Sequence, residues 1–132
     1  MSTEANKKLV QQAWNAISAG DVDTFMAALA DDVTWTFFGS HRFAGTFRGK
    51  DELVDKLFAP LGEVLEDGIK VRIDSITAED DRVVIEAKGS ARSKSGKAYD
   101  NDYCIVITLA DGKIRHVREY LDSELVTSVF GR

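Results

Sequence analysis

A single cysteine, Cys104, in 132 residues excludes an intrachain disulfide and suits a reducing, cytoplasmic setting. The opening stretch "MSTEANKK" holds none of the apolar core of a secretion signal. Nowhere does an apolar run approach the ~20 residues a membrane helix needs, so a membrane partner is not expected. Basic residues are outnumbered, 17 Lys and Arg against 22 Asp and Glu, for a net charge of −5, and none cluster beyond "NKK". Nucleic acid, which calls for a concentrated basic face, is therefore not an expected partner either. The two histidines, His41 and His116, have no Cys or carboxylate at ligand spacing, so neither a metal nor a cofactor is expected. What is present, 44% apolar and 30% charged residues, is the make-up of a globular protein. The length is enough for one core, and residues 1–132 read as one domain.

Helical spacing comes early in the chain. Ser2 or Thr3 caps a first helix in which Leu9, Val10, Ala13, Trp14 and Ile17 share a face, and Gly20 stops it. Asp21 caps a second, "DVDTFMAALA", with Val22, Phe25, Met26 and Leu29 turned inward. A third follows Gly49 with the stripe Leu53, Val54, Leu57 and Phe58, and Pro60 is expected to kink or end it. "VTWTFF" reads as a strand with Val33, Trp35 and Phe37 on one face. "IKVRIDSITA", "RVVIEAKGSARS", "YDNDYCIVITLA" and "KIRHVREYLD", parted by "EDD", "KSG" and "DG", read as an antiparallel meander. The class is α+β.

Hairpin chemistry gives the strand pairing. A two-residue turn at Asp111-Gly112 sets Leu109 opposite Ile114, Ile107 opposite His116, Ile105 opposite Arg118, Tyr103 opposite Tyr120 and Asn101 opposite Asp122. A three-residue loop at Lys94-Ser95-Gly96 sets Val83 against Ile107, Ile85 against Ile105, Ala87 against Tyr103 and Gly89 against Asn101. The aliphatic members mark the inner face. On this reading Arg118, Tyr120 and Asp122 also point inward. Small Ala87 and Gly89 then leave space among Asn101, Tyr103, Tyr120 and Asp122, and space with polar tips is what a ligand pocket needs.

Helices followed by a curled sheet over a polar-lined hollow resemble the NTF2-like fold, and within it the SnoaL-like and ketosteroid-isomerase-related group. The blocks "AGDVDTFMAALADDVTW", "GTFRGKDEL" and "ADGKIRHVREYLD" carry the resemblance. It implies a conical α+β barrel, three N-terminal helices packed on a curved, mainly antiparallel sheet, with an internal cavity, usually paired as a homodimer through its convex sheet. It also implies a range of activities, from isomerase to polyketide cyclase to epoxide hydrolase. The general base of the isomerases falls at Phe37 here, whereas the acid that cyclase-like members carry on the last strand is matched by Asp122.

The expected function is therefore the binding of a small, largely apolar, oxygen-bearing molecule, with or without cofactor-independent acid–base catalysis. A carrier without turnover and a dimeric interaction module are the alternatives. Asp122 is the candidate proton carrier, or else a strand-end cap. Tyr103, Tyr120 and Arg118 are the candidates to hold an oxygen, with cross-strand packing and ion pairing as their structural alternatives. Trp35, Phe37, Asn101, His116, Ala87 and Gly89 are the candidate ligand-lining residues.

Overall fold

A computed structural model describes residues 2–132. Helix α1 (Thr3–Ser18) begins where the Ser2 hydroxyl accepts the Ala5 N–H at 3.1 Å, and it buries Val10, Ala13 and Trp14. Helix α2 (Val22–Ala27) starts at Asp21, whose carboxylate accepts the Thr24 N–H at 3.1 Å. The chain then runs through β1 (Leu29–Phe37) and β2 (Gly45–Arg48), α3 (Lys50–Leu53), a π-helical turn (Val54–Phe58) and α4 (Ala59–Val64). Strands β3 (Lys70–Glu79), β4 (Arg82–Ser90), β5 (Asp102–Ala110) and β6 (Lys113–Leu121) follow, and α5 (Ser123–Phe130) ends the described fold.

Two helices rather than three precede the first strand, since the third helical stretch comes after the β1–β2 hairpin. Pro60 neither ends nor breaks that stretch. The wide turn before it, closed by Ala59 N–H donating to the Val54 carbonyl, absorbs the proline at the second position of α4. Leu29, expected on the second helix, instead opens β1 opposite Ile114.

The six strands form one curved mixed sheet in the order β2-β1-β6-β5-β4-β3. Every neighbouring pair is antiparallel except β1 with β6. The β4–β5 pairing is the one the Gly96 loop implies: Val83 faces Ile107, Ile85 faces Ile105, and Ala87 faces Tyr103. The β5–β6 pairing is not the one expected. Leu109 does face Ile114, but the ladder then slips, and Thr108 faces His116, Ile107 faces Val117 and Ile105 faces Glu119. Arg115 is the extra residue of this β-bulge, and its guanidinium meets Asp32 of β1 at 2.9 Å.

One extra residue exchanges the two faces of β6. Val117 and Glu119 go inside, and His116, Arg118 and Tyr120 go outside. The physical preference is clear. Straight pairing would put a guanidinium that cannot lose its charge among the core aromatics. The bulged pairing buries Val117 fully and asks only that a carboxyl, which can take up a proton, enter the interior.

Candidate functional site

Helices α1 and α2, together with the segment from Leu57 to Leu65, roof the inner sheet face and leave a hollow of about 380 Å³. That lies within the range of small-molecule sites. Its aromatic wall begins at Phe25, 1% exposed on α2, whose ring meets Trp14 edge-on at 5.3 Å and lies 6.0 Å from Trp35. Trp35 and Phe37, alternate residues of β1, stack at 6.3 Å and turn to the same side as Glu119, because Phe37 pairs directly with Glu119 across the parallel ladder. Ile105 and Tyr103 of β5 line the opposite side.

Glu119 is the buried carboxyl of this wall. It is 6% exposed, and burial pushes its carboxyl up to about 8 from an ordinary value of 4.5. The indole N–H of Trp35 draws that value back down. The two nevertheless do not meet in a well-formed hydrogen bond, since Trp35 Nε1 is buried without a partner. Tyr103 Oη is also buried and unpartnered. Burial raises its pKa above the ordinary phenol value, and the neighbouring Tyr99 and Glu119 add to that. The Tyr99 hydroxyl lies close enough to perturb it but accepts instead from Asn101 Nδ2 at 3.2 Å. Among the described residues no Lys, Arg or His lines the hollow, so none of them sets a cation beside Glu119 there.

Trp35, Phe37 and Tyr103 thus face the hollow, and the remaining sequence candidates stand elsewhere. His116 is exposed on the outer face, with its Nδ1 at 2.7 Å from Thr34 Oγ1. Arg118 lies over the Phe38 ring at 5.6 Å, and Phe38 stacks on the 40% exposed Tyr120 at 4.5 Å. Asp122 does not reach the interior. It caps α5, its Oδ1 accepting the N–H groups of Glu124 at 3.0 Å and Leu125 at 3.4 Å.

Asn101 is 1% exposed but fully engaged. Its Oδ1 accepts from Asp102 N–H at 2.8 Å and Asp122 N–H at 3.0 Å, and its Nδ2 donates to Tyr99 Oη and the Asp122 carbonyl. It ties the start of β5 to the end of β6 and has nothing spare for a ligand. Ala87 and Gly89 do not line the hollow. A Cβ on Gly89 would stand 2.6 Å from Tyr103 Cε2, so the space expected for a ligand holds the Tyr103 ring.

Asp122 therefore carries a structural prediction. Asp122→Ala should lower stability by ~1 kcal/mol, the usual loss of an N-cap, and leave the hollow intact. A urea titration would show this as a shifted midpoint with an unchanged slope.

Sequence reasoning missed Glu119 because it missed the bulge. The signal lay in "IRHV". Ile114 and Val117, both strongly apolar, stand three apart, a spacing that strict alternation cannot bury on one face. The inward set of β6 is Ile114, Val117 and Glu119, and the change of parity at Arg115 is the bulge itself.

A curved sheet under helices, with an acid and two unpartnered polar groups among the residues of the hollow between them, is the architecture of an NTF2-like α+β protein. Residues 10–117 match the family described as SnoaL-like domain, and the chain belongs to that family. A protein of Mycobacterium tuberculosis described as uncharacterized is 30% identical over 133 residues, covering 98% of both chains. Among solved structures, an NTF2-like protein of Burkholderia thailandensis is 28% identical with a TM-score of 0.83, again over 98% of both chains. An LEH-like epoxide hydrolase of M. tuberculosis is 25% identical with a TM-score of 0.75, covering 97% of this chain and 90% of its own.

Proposed function

We propose that the hollow binds a small, largely apolar molecule through one carbonyl or hydroxyl oxygen, and that Glu119 moves a proton on it. The observation that carries this reading is a set of three buried polar groups, Glu119, Trp35 Nε1 and Tyr103 Oη, belonging to residues that line an apolar hollow and not completing one another's hydrogen bonds. Buried polar groups are ordinarily satisfied, so a cluster left open asks for an outside partner. The indole N–H can only donate, so that partner must offer an acceptor. A ketone, an enol or an epoxide does so.

With its pKa at about 8, Glu119 carries its proton in most molecules at neutral pH and is ionised in about a tenth of them. It can therefore donate to a developing oxyanion or, in the ionised fraction, take a proton from carbon. Trp35 N–H and Tyr103 O–H would hold the oxygen where charge develops. Similarity to an epoxide hydrolase favours chemistry on an oxygen-bearing substrate. A homodimer, a cytoplasmic setting and a single domain, expected from the sequence, belong to this proposal as well.

The test is binding of acetophenone, an apolar ketone, followed by quenching of Trp14 and Trp35. These are the chain's two tryptophans, and both line the hollow. Tyr103→Phe should weaken binding roughly fivefold, the worth of ~1 kcal/mol for one hydrogen bond. Binding should also fade as pH rises through about 8, where Glu119 ceases to donate and turns an anion toward the ketone oxygen. An affinity indifferent to both changes would overturn the reading.

A further inference from the structure

Three glycines are among the residues that line the hollow, Gly20, Gly62 and Gly68, and all three are exposed. Backbone geometry accounts for two of them, since Gly20 has φ +83° and Gly68 has φ +70°, in the region that favours glycine. Gly62 has no such reason. It lies inside α4, outside the left-handed region, and a Cβ built on it would meet nothing within 4 Å. Inside a helix glycine is the least favourable residue after proline. Neither the backbone nor any packed neighbour requires it at this position.

Gly62 is at once exposed and among the residues that line the hollow, which puts it at the rim. Phe58, at the end of the π-helical turn, and Leu65, which caps α4, flank it in the chain and also line the hollow. An independent observation points to a ligand in the same space. Trp35 is 5% exposed and Tyr103 is 8% exposed, and each keeps an unpartnered polar atom in the wall of this hollow.

We propose that Gly62 is a specificity-determining residue: the bound molecule starts at Glu119 and leaves the hollow across α4, and the absent side chain sets how long that molecule can be. The inference rests on the reading that the hollow holds an oxygen-bearing apolar molecule, and it adds where that molecule exits.

Two alkyl phenones test it. Acetophenone and octanophenone share the ring and the carbonyl and differ only in tail length, and both can be followed by tryptophan quenching in the wild type, Gly62→Ala and Gly62→Leu. The wild type should bind octanophenone more tightly than acetophenone. Gly62→Leu should cut the octanophenone affinity at least tenfold relative to that for acetophenone, and Gly62→Ala severalfold. Gly62→Ala should also melt at a higher temperature, as expected of a helix relieved of a glycine. It remains informative should the bulkier leucine prevent folding. If both ketones weaken equally, or neither weakens, the exit at Gly62 is overturned while the pocket reading survives. If the wild type binds neither ketone, both fall together.

Discussion

Stability is expected to fall by on the order of 5 kcal/mol as pH rises from 4.5 to about 8, and Glu119 is the reason. Below 4.5 the carboxyl is protonated in the folded and unfolded chains alike, and its contribution is fully present. Between the two values the unfolded chain ionises while the folded one keeps its proton. Stability then drops by ~1.4 kcal/mol per pH unit. Above about 8 both states are ionised and the loss is complete. Other carboxyls titrate over the same range, so the informative quantity is the difference between wild type and Glu119→Gln. The amide does not titrate, and the variant should overtake the wild type in urea midpoint as pH rises. A difference curve that stays level from acid to alkaline pH would show that Glu119 is not the buried acid described.

Phe25→Ala is the second large effect. The ring is 1% exposed and packs against Trp14, Trp35 and Phe58 at centroid distances of 5.3, 6.0 and 6.2 Å. Truncating a buried phenylalanine removes about 3–5 kcal/mol through lost transfer energy and the void left behind. Because Phe25 borders the hollow, the new void joins space that already exists, which places the expected loss near the lower end, ~3 kcal/mol. The same geometry makes the loss partly reversible. Benzene or indole added to the variant should occupy the enlarged hollow and raise its melting temperature by mass action. The wild type, whose ring fills that volume, should respond less. Equal responses would mean that the void collapses instead of joining the hollow.

Much of the architecture was legible because local chemistry and burial agreed. Ser2 and Asp21 cap the helices their positions suggest, and the aliphatic alternation of β4 and β5 fixes their pairing through Val83, Ile85, Ile105 and Ile107. Pro60 is expected to kink or end its helix because proline removes an ordinary helical bond. A π-helical turn just before it supplies a different bonding pattern, which no periodicity of 3.6 displays. Helix α5 went unread although its signals are ordinary. Asp122 stands at the cap, and Val126 and Phe130 follow at helical spacing. Treating Asp122 as the inward end of a strand hid both its capping role and the helix it starts. The candidate site divides along the same line. Trp35, Phe37 and Tyr103 lie on strands whose faces follow simple alternation, which is enough to turn them toward the hollow. Glu119 lies beyond the bulge, where parity has changed, and a reading that counted by twos assigned it to solvent.

The surplus residue at Arg115 makes the lining of the final strand depend on counting more than on composition. With the same side chains in the same order, a ladder straightened by one step would deliver a guanidinium and a phenol to the aromatic chamber in place of a carboxyl. Changing the chemistry that lines the hollow therefore need not involve replacing any side chain. Altering the offset between its last two strands would suffice, and insertions and deletions near that turn are the genetic events to watch.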